Sequence, residues 1–110
     1  MLLYSPEADA VRATLRDVLG FDYVEDSPGW LIFKLPPSEI GVHPSDGGTQ
    51  HQISLMCDDL DATMDKLRAK GVEFRGGPNN ESFGITTTML LPGGVELLLY
   101  QPKHASPLDL

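Results

Sequence analysis

The sequence predicts an α+β fold of two tandem βαβββ units whose curved sheets surround a cavity. Three observations predict it. First, residues 51–71 read as one strand, a two-aspartate turn and an amphipathic helix closed by glycine. Second, short β-branched and apolar runs follow on both sides, separated by Pro/Gly turns. Third, the pattern repeats: Leu35-Pro-Pro-Ser-Glu-Ile-Gly-Val-His-Pro44 stands against Leu91-Pro-Gly-Gly-Val-Glu-Leu-Leu-Leu-Tyr-Gln-Pro102. Both carry Leu-Pro, a turn, a Glu, three apolar or small residues and a ring. A length of 110 residues is one domain. We divide it into a first unit at 1–44, a linker at 45–50, a second unit at 51–102 and a tail at 103–110.

In the first unit, residues 1–4 are a short apolar run that reads as an abrupt opening strand. Ser5-Pro6-Glu7 is a helix start, with Ser as N-cap, Pro at the first helical position and an acid in the first turn. Ala8, Val11, Leu15, Val18 and Leu19 make the apolar stripe, and Gly20 ends the helix. Strands follow at 21–24 and 30–35, joined by the turn at 26–29. Pro36-Pro37-Ser38 turns the chain into a short fourth strand at 39–43.

In the second unit, Ile53, Leu55 and Cys57 alternate with Gln52, Ser54 and Met56, so each set takes one face of a strand. Asp58 or Asp59 caps the helix at 59–70, where a carboxylate also suits the positive end of the dipole. Leu60, Met64 and Leu67 form its stripe, and Gly71 closes it in a left-handed turn. That stripe belongs over Ile53, Leu55 and Cys57, which leaves Gln52, Ser54 and Met56 facing elsewhere. A strand at 72–74, a mobile loop at 76–80, and strands at 85–91 and 95–100 complete the unit. One helix covers one face of a four-stranded sheet, so the other face becomes an interface or a ligand cavity.

Composition narrows the partners. At 41% hydrophobic and 22% charged, the chain has an ordinary globular make-up. Its formal charge of −8, without any Lys/Arg cluster, argues against nucleic acid and anionic membrane. A single cysteine accords with a reducing cytoplasm, and Cys57 faces the helix as a buried thiol rather than a nucleophile. No apolar run approaches the ~20 residues of a membrane span, and no signal peptide is visible. Gly76-Gly77 and Gly93-Gly94 lack the context of a phosphate loop. Ser54 has no nucleophile elbow, and the acids at 58, 59 and 61 lack calcium-loop spacing.

The stretches Gln52-Ile-Ser-Leu-Met-Cys-Asp-Asp-Leu-Asp-Ala62, Lys70-Gly-Val-Glu-Phe74, Arg16-Asp-Val-Leu-Gly-Phe21 and Leu91-Pro-Gly-Gly-Val-Glu-Leu97 together resemble the vicinal oxygen chelate superfamily. This superfamily includes glyoxalase I, bleomycin resistance proteins and extradiol dioxygenases. The resemblance implies a cavity with a divalent cation (Zn, Ni, Mn or Fe), held by the residue opening each unit and by a Glu on each last strand. In this chain those positions fall on Gln52, on Leu98, on Gly41 and about one residue before Met1. Only Gln52 is a donor, a neutral oxygen that is weak alone. Glu39 and Glu96 lie two residues earlier on the same strand faces, and His43 and Tyr100 two residues later. Gln52, Glu96 and His43 are therefore the candidates for a displaced metal site; otherwise they are polar cavity or surface residues. His51 faces away, and His104 in the tail receives no role.

The resemblance implies a protein that binds a small organic molecule in the sheet cavity. Candidate ligand-binding residues are Tyr4, Trp30, Glu39, His43, Gln52, Ser54, Met56, Leu98 and Tyr100, with Leu2 as further apolar lining. Trp30 reads either as core or as a platform for a planar ligand. Metal-dependent lyase, isomerase or dioxygenase chemistry would use Glu96 to move a proton. The alternative is a metal-free, ligand-sequestering protein of the bleomycin-resistance kind, for which a cationic or planar drug would suit an acidic pocket. A third reading is a degenerate unit acting only as a partner surface. A homodimer is expected.

Overall fold

A computed structural model describes residues 3–42, 44 and 46–110. Its elements are a helix α1 (Ala8–Ala13) running into a wider π-type turn (Thr14–Val18), then β1 (Tyr23–Ser27), β2 (Trp30–Phe33), β3 (Ser54–Met56), α2 (Leu60–Arg68), β4 (Glu73–Asn80), β5 (Gly84–Leu91) and β6 (Val95–Pro102). Strands β1 and β2 form an antiparallel ribbon. The others form a sheet in the order β3-β6-β5-β4, parallel between β3 and β6 and antiparallel elsewhere.

The second unit follows the pattern read from the sequence. Asp59 caps α2 by accepting from the Ala62 amide at 3.0 Å. A second orphan donor of that helix end, the Leu60 amide, is taken by Gln101 Oε1 of β6 at 2.9 Å, which ties helix to sheet. At the other end Gly71 adopts φ 89°, and the Val72 amide returns to the Leu67 carbonyl at 3.1 Å. Leu60, Met64 and Leu67 are buried against Met89, Leu91, Leu97 and Leu99, with Ile53, Leu55 and Cys57 packed at the margin.

Five expectations need correction. The segment 76–80 is not a loop but the second half of β4, with a register shift between Arg75 and Asn79. Its glycines permit this. Gly76 and Gly77 have φ of 66° and 73°, and a Cβ on Gly77 would stand 2.7 Å from the Thr86 carbonyl oxygen. Thr87 Oγ1 also donates to the Gly76 carbonyl at 3.0 Å. The opening strand of the second unit, expected over 52–57, is only Ser54–Met56, and Gln52 precedes it in irregular chain. The third strand of the first unit ends at Phe33 rather than residue 35, before the two prolines that cannot donate to a ladder. Glu39–Val42 is irregular rather than a strand, and His43 lies outside the described residues. Of the opening strand, Met1 and Leu2 lie outside the described residues, and Leu3 and Tyr4 are irregular.

Among the described residues of the first unit only Val11 reaches the buried core, while Leu15, Val18 and Leu19 pack partly against it. Its helix is seated by the second unit. Ser5 Oγ accepts from the Glu7 amide at 3.1 Å and donates to the Pro92 carbonyl at 3.2 Å. The turn Pro92–Gly94 makes room for it: Gly93 has φ 78°, and a Cβ there would stand 2.1 Å from Ser5 Oγ.

Two stability predictions follow from this packing. Leu67→Ala is expected to lower unfolding free energy by about 2–5 kcal/mol in a denaturant titration; a change near zero would sink the packing described. Gly93→Ala is expected to cost about 1–2 kcal/mol from left-handed strain alone, plus the collision with Ser5. Adding Ser5→Gly should recover part of the loss, and no recovery would mean that the two residues are not in contact.

Candidate functional site: the open face of the sheet

Alternation along β5 and β6 sorts the side chains. Met89, Thr87, Leu97 and Leu99 are buried on the side of α2. Their neighbours face the other way and meet across the strands in rows. Ser54 is level with Leu98, Leu98 with Thr88 and Thr88 with Arg75; Met56 is level with Tyr100, Tyr100 with Thr86 and Thr86 with Asn79; Glu96 is level with Leu90 and Leu90 with Glu73. One face therefore carries five of the expected residues, Ser54, Met56, Glu96, Leu98 and Tyr100. The two-residue period that placed them was legible in the sequence.

Glu96 is not a free carboxylate. Arg75 reaches across the face and hydrogen-bonds both its oxygens, Nη2 to Oε2 at 2.8 Å and Nη1 to Oε1. This is a bidentate ion pair that fixes the acid and occupies its lone pairs. Arg75 escaped the sequence reading because residues 76–80 were taken as a loop; recognising one longer strand would have put it on this face.

Glu39 returns to the sheet from the irregular segment after β2. Its Oε1 lies 3.5 Å from the Tyr100 hydroxyl and 3.4 Å from His104 Nε2, and the hydroxyl lies 3.4 Å from the same nitrogen. Among the described residues Glu39 Oε2 is buried without a hydrogen-bond partner. Burial pushes the Tyr100 phenol above its ordinary value, and the Glu39 charge pushes it further, so the hydroxyl keeps its proton. Phe83 stands edge-on to Tyr100, with ring centroids 5.9 Å apart. His104 is the residue the sequence reading dismissed. Its tail position gave no periodicity from which to place it.

The remaining candidates lie apart. Tyr4 is 86% exposed. Trp30, half-exposed on β2, is covered by the Arg12 guanidinium 4.9 Å from its ring centroid, which makes it a partner of α1. Gln52 is exposed ahead of β3. Cys57 faces the core side as expected, and burial raises its thiol pKa, which favours an inert protonated thiol. Two hollows form elsewhere. One of about 340 Å³ is lined by residues of the ribbon, including Val24, Ile32 and Phe33. Another of about 290 Å³ lies between the wide turn after α1 and the end of α2.

The divalent cation implied by the resemblance does not fit its usual positions. Leu98 offers no donor, Gly41 no side chain, and Gln52 is a single neutral oxygen in exposed chain. Among the described residues no three His, Cys, Asp or Glu side chains converge to hold a metal ion.

The sequence profile of the Glyoxalase/Bleomycin resistance protein/Dioxygenase superfamily matches residues 1–99. No curated protein sequence matches the chain. Solved structures do. TnmS3, an antibiotic binding protein from Streptomyces sp. CB03234, is 24% identical with a TM-score of 0.68, over 92% of this chain and 91% of that one. Lactoylglutathione lyase from Agrobacterium tumefaciens is 20% identical with a TM-score of 0.63, over 89% and 87%. These likenesses concern the fold. A profile spanning nearly the whole chain, with the half-covered sheet beneath it, means that the chain belongs to the Glyoxalase/Bleomycin resistance protein/Dioxygenase superfamily.

Proposed function

We propose that the protein binds a small organic molecule against the open face and sequesters it, without a metal at the superfamily's usual positions. The observation that carries this reading is the make-up of that face. Leu98, Met56, Tyr100 and Phe83 supply apolar and aromatic surface, while Thr88 supplies a hydroxyl beside it. Of the expected metal-ligand positions within the chain, by contrast, only Gln52 carries a donor. Such a face suits a planar ligand, and the acidic chain suits a cationic one. The Arg75–Glu96 pair closes one end as a fixed polar wall, which removes support for Glu96 as a proton-transfer residue.

A homodimer completes this reading. Val24 and Ile32 are paired on one face of the ribbon and are 65% and 51% exposed; Ile40 and Val42, in the segment that the repeat assigns to a fourth strand, are 92% and 94% exposed. Apolar surface of this extent calls for a partner, and a second copy is the partner we propose. The division into repeat units at 1–44 and 51–102 belongs to the same proposal. A cytoplasmic setting accords with the lone thiol.

Leu98→Arg is expected to weaken binding of a planar cationic antibiotic, found by thermal-shift screening, at least tenfold, or about 1.4 kcal/mol. The ligand should be recovered chemically unchanged; its consumption would overturn sequestration. Val24→Asp with Ile32→Asp should shift the mass measured by sedimentation from dimer to monomer, and a monomeric parent protein would overturn the dimer.

A further inference from the structure

We propose that Glu39, Tyr100 and His104 form a tetrahedral divalent-cation site of the zinc class, apart from the positions the superfamily resemblance implies. The three atoms Glu39 Oε1, Tyr100 Oη and His104 Nε2 stand 3.5, 3.4 and 3.4 Å from one another. Such separations are long for hydrogen bonds, since O–H···O contacts settle near about 2.7–2.8 Å. They match the spacing of ligands around a tetrahedral metal. With metal–ligand bonds of about 2.1 Å, the edge of the tetrahedron is about 3.4 Å. The triangle is thus one face of a coordination shell.

Three further features fit. The cluster is short of donors: one tyrosine proton serves a carboxylate oxygen and an imidazole nitrogen. His104 Nδ1 lies 2.9 Å from the Ala105 carbonyl, which can only accept, so Nδ1 carries a proton, and in that neutral tautomer Nε2 presents its lone pair to the site. A backbone carbonyl on the far nitrogen is the usual way of orienting a metal-bound histidine. Last, Glu39 Oε2 is buried and unpartnered. A water in the fourth position would donate to it.

The chemistry selects the ion. One imidazole, one carboxylate and one phenol oxygen suit Zn²⁺, or Co²⁺ in its place, better than the oxygen-only, higher-coordinate preference of Ca²⁺ or Mg²⁺. Binding asks the phenol to give up or share its proton against the burial that holds it. Occupancy therefore falls as the pH falls. The site joins three separate pieces of chain, the segment after β2, strand β6 and the tail. Its role is to fasten the tail over one end of the open face. The inference does not rest on the ligand reading above and is tested with metal alone.

The test is titration of the dialysed full chain with Zn²⁺ by calorimetry, with Co²⁺ substitution read by visible absorption. One ion per chain is expected, with the intense bands of tetrahedral Co²⁺. His104→Ala, which removes an exposed tail residue without disturbing the core, should weaken binding by at least about tenfold, and Glu39→Gln should do the same. Tyr100→Phe should abolish the ultraviolet change of a metal-bound phenol. Glu96→Ala, Gln52→Ala and His51→Ala should leave the affinity unchanged. No binding, octahedral Co²⁺ spectra, or binding that His104→Ala leaves intact would each overturn the proposal. Loss of binding with Glu96→Ala would do so in favour of the Gln52, Glu96 and His43 set.

Discussion

The structure depends on one packing event, the burial of the α2 stripe on the β5–β6 pair. Leu60, Met64 and Leu67 can reach Met89, Leu97 and Leu99 only if the two strands pair in the observed register. A slip of one residue would put Glu96, Leu98 and Tyr100 under the helix and expose the core. The same register therefore settles both what is buried and which residues face outward. Site and core are two readings of one hydrogen-bond ladder. The bond from Gln101 to the Leu60 amide adds a polar check on that register at the helix start.

Ion pairing on the outward face shows how context changes a residue's chemistry. Glu96 is a catalytic candidate by residue type, but it lies opposite Leu90 and within reach of Arg75 two strands away. A fork–fork pair orients both partners and takes one acceptor site on each of the Glu96 oxygens. Glu39, by contrast, arrives from chain without regular structure, and one of its oxygens finds no partner. The buried, incompletely paired carboxylate is the one with chemistry left to do.

Much of this was legible in the sequence, and the rest was not for identifiable reasons. Strict alternation from Ile53 to Cys57 and from Val95 to Tyr100 placed the faces, because a period of two leaves no freedom once one side is apolar. The caps at Asp59 and Gly71 were local and therefore readable. The segment 76–80 reads as a loop in isolation because it holds two glycines, a proline and two asparagines, while β5 pairs with Asn79 and Asn80 beyond an irregularity at the glycines. Such templating is a property of the partner strand, not of the segment. His104 was invisible for a related reason: its meeting with Glu39 spans 65 positions and two irregular segments. Neither segment carries a pattern.

The seating of α1 on the turn Pro92–Gly94 has a consequence for how the molecule breathes. Of the nine buried hydrophobic residues described, Val11 alone comes from the first half. That half is held by a serine, a glycine-lined notch, one buried side chain and the partly buried Leu15, Val18 and Leu19, whereas the second half owns its core. Local opening should therefore begin at the first half, with its amides exchanging against solvent while those of β5 and β6 remain protected. A chain built this way can lift one side like a hinged cover and keep the sheet intact beneath it.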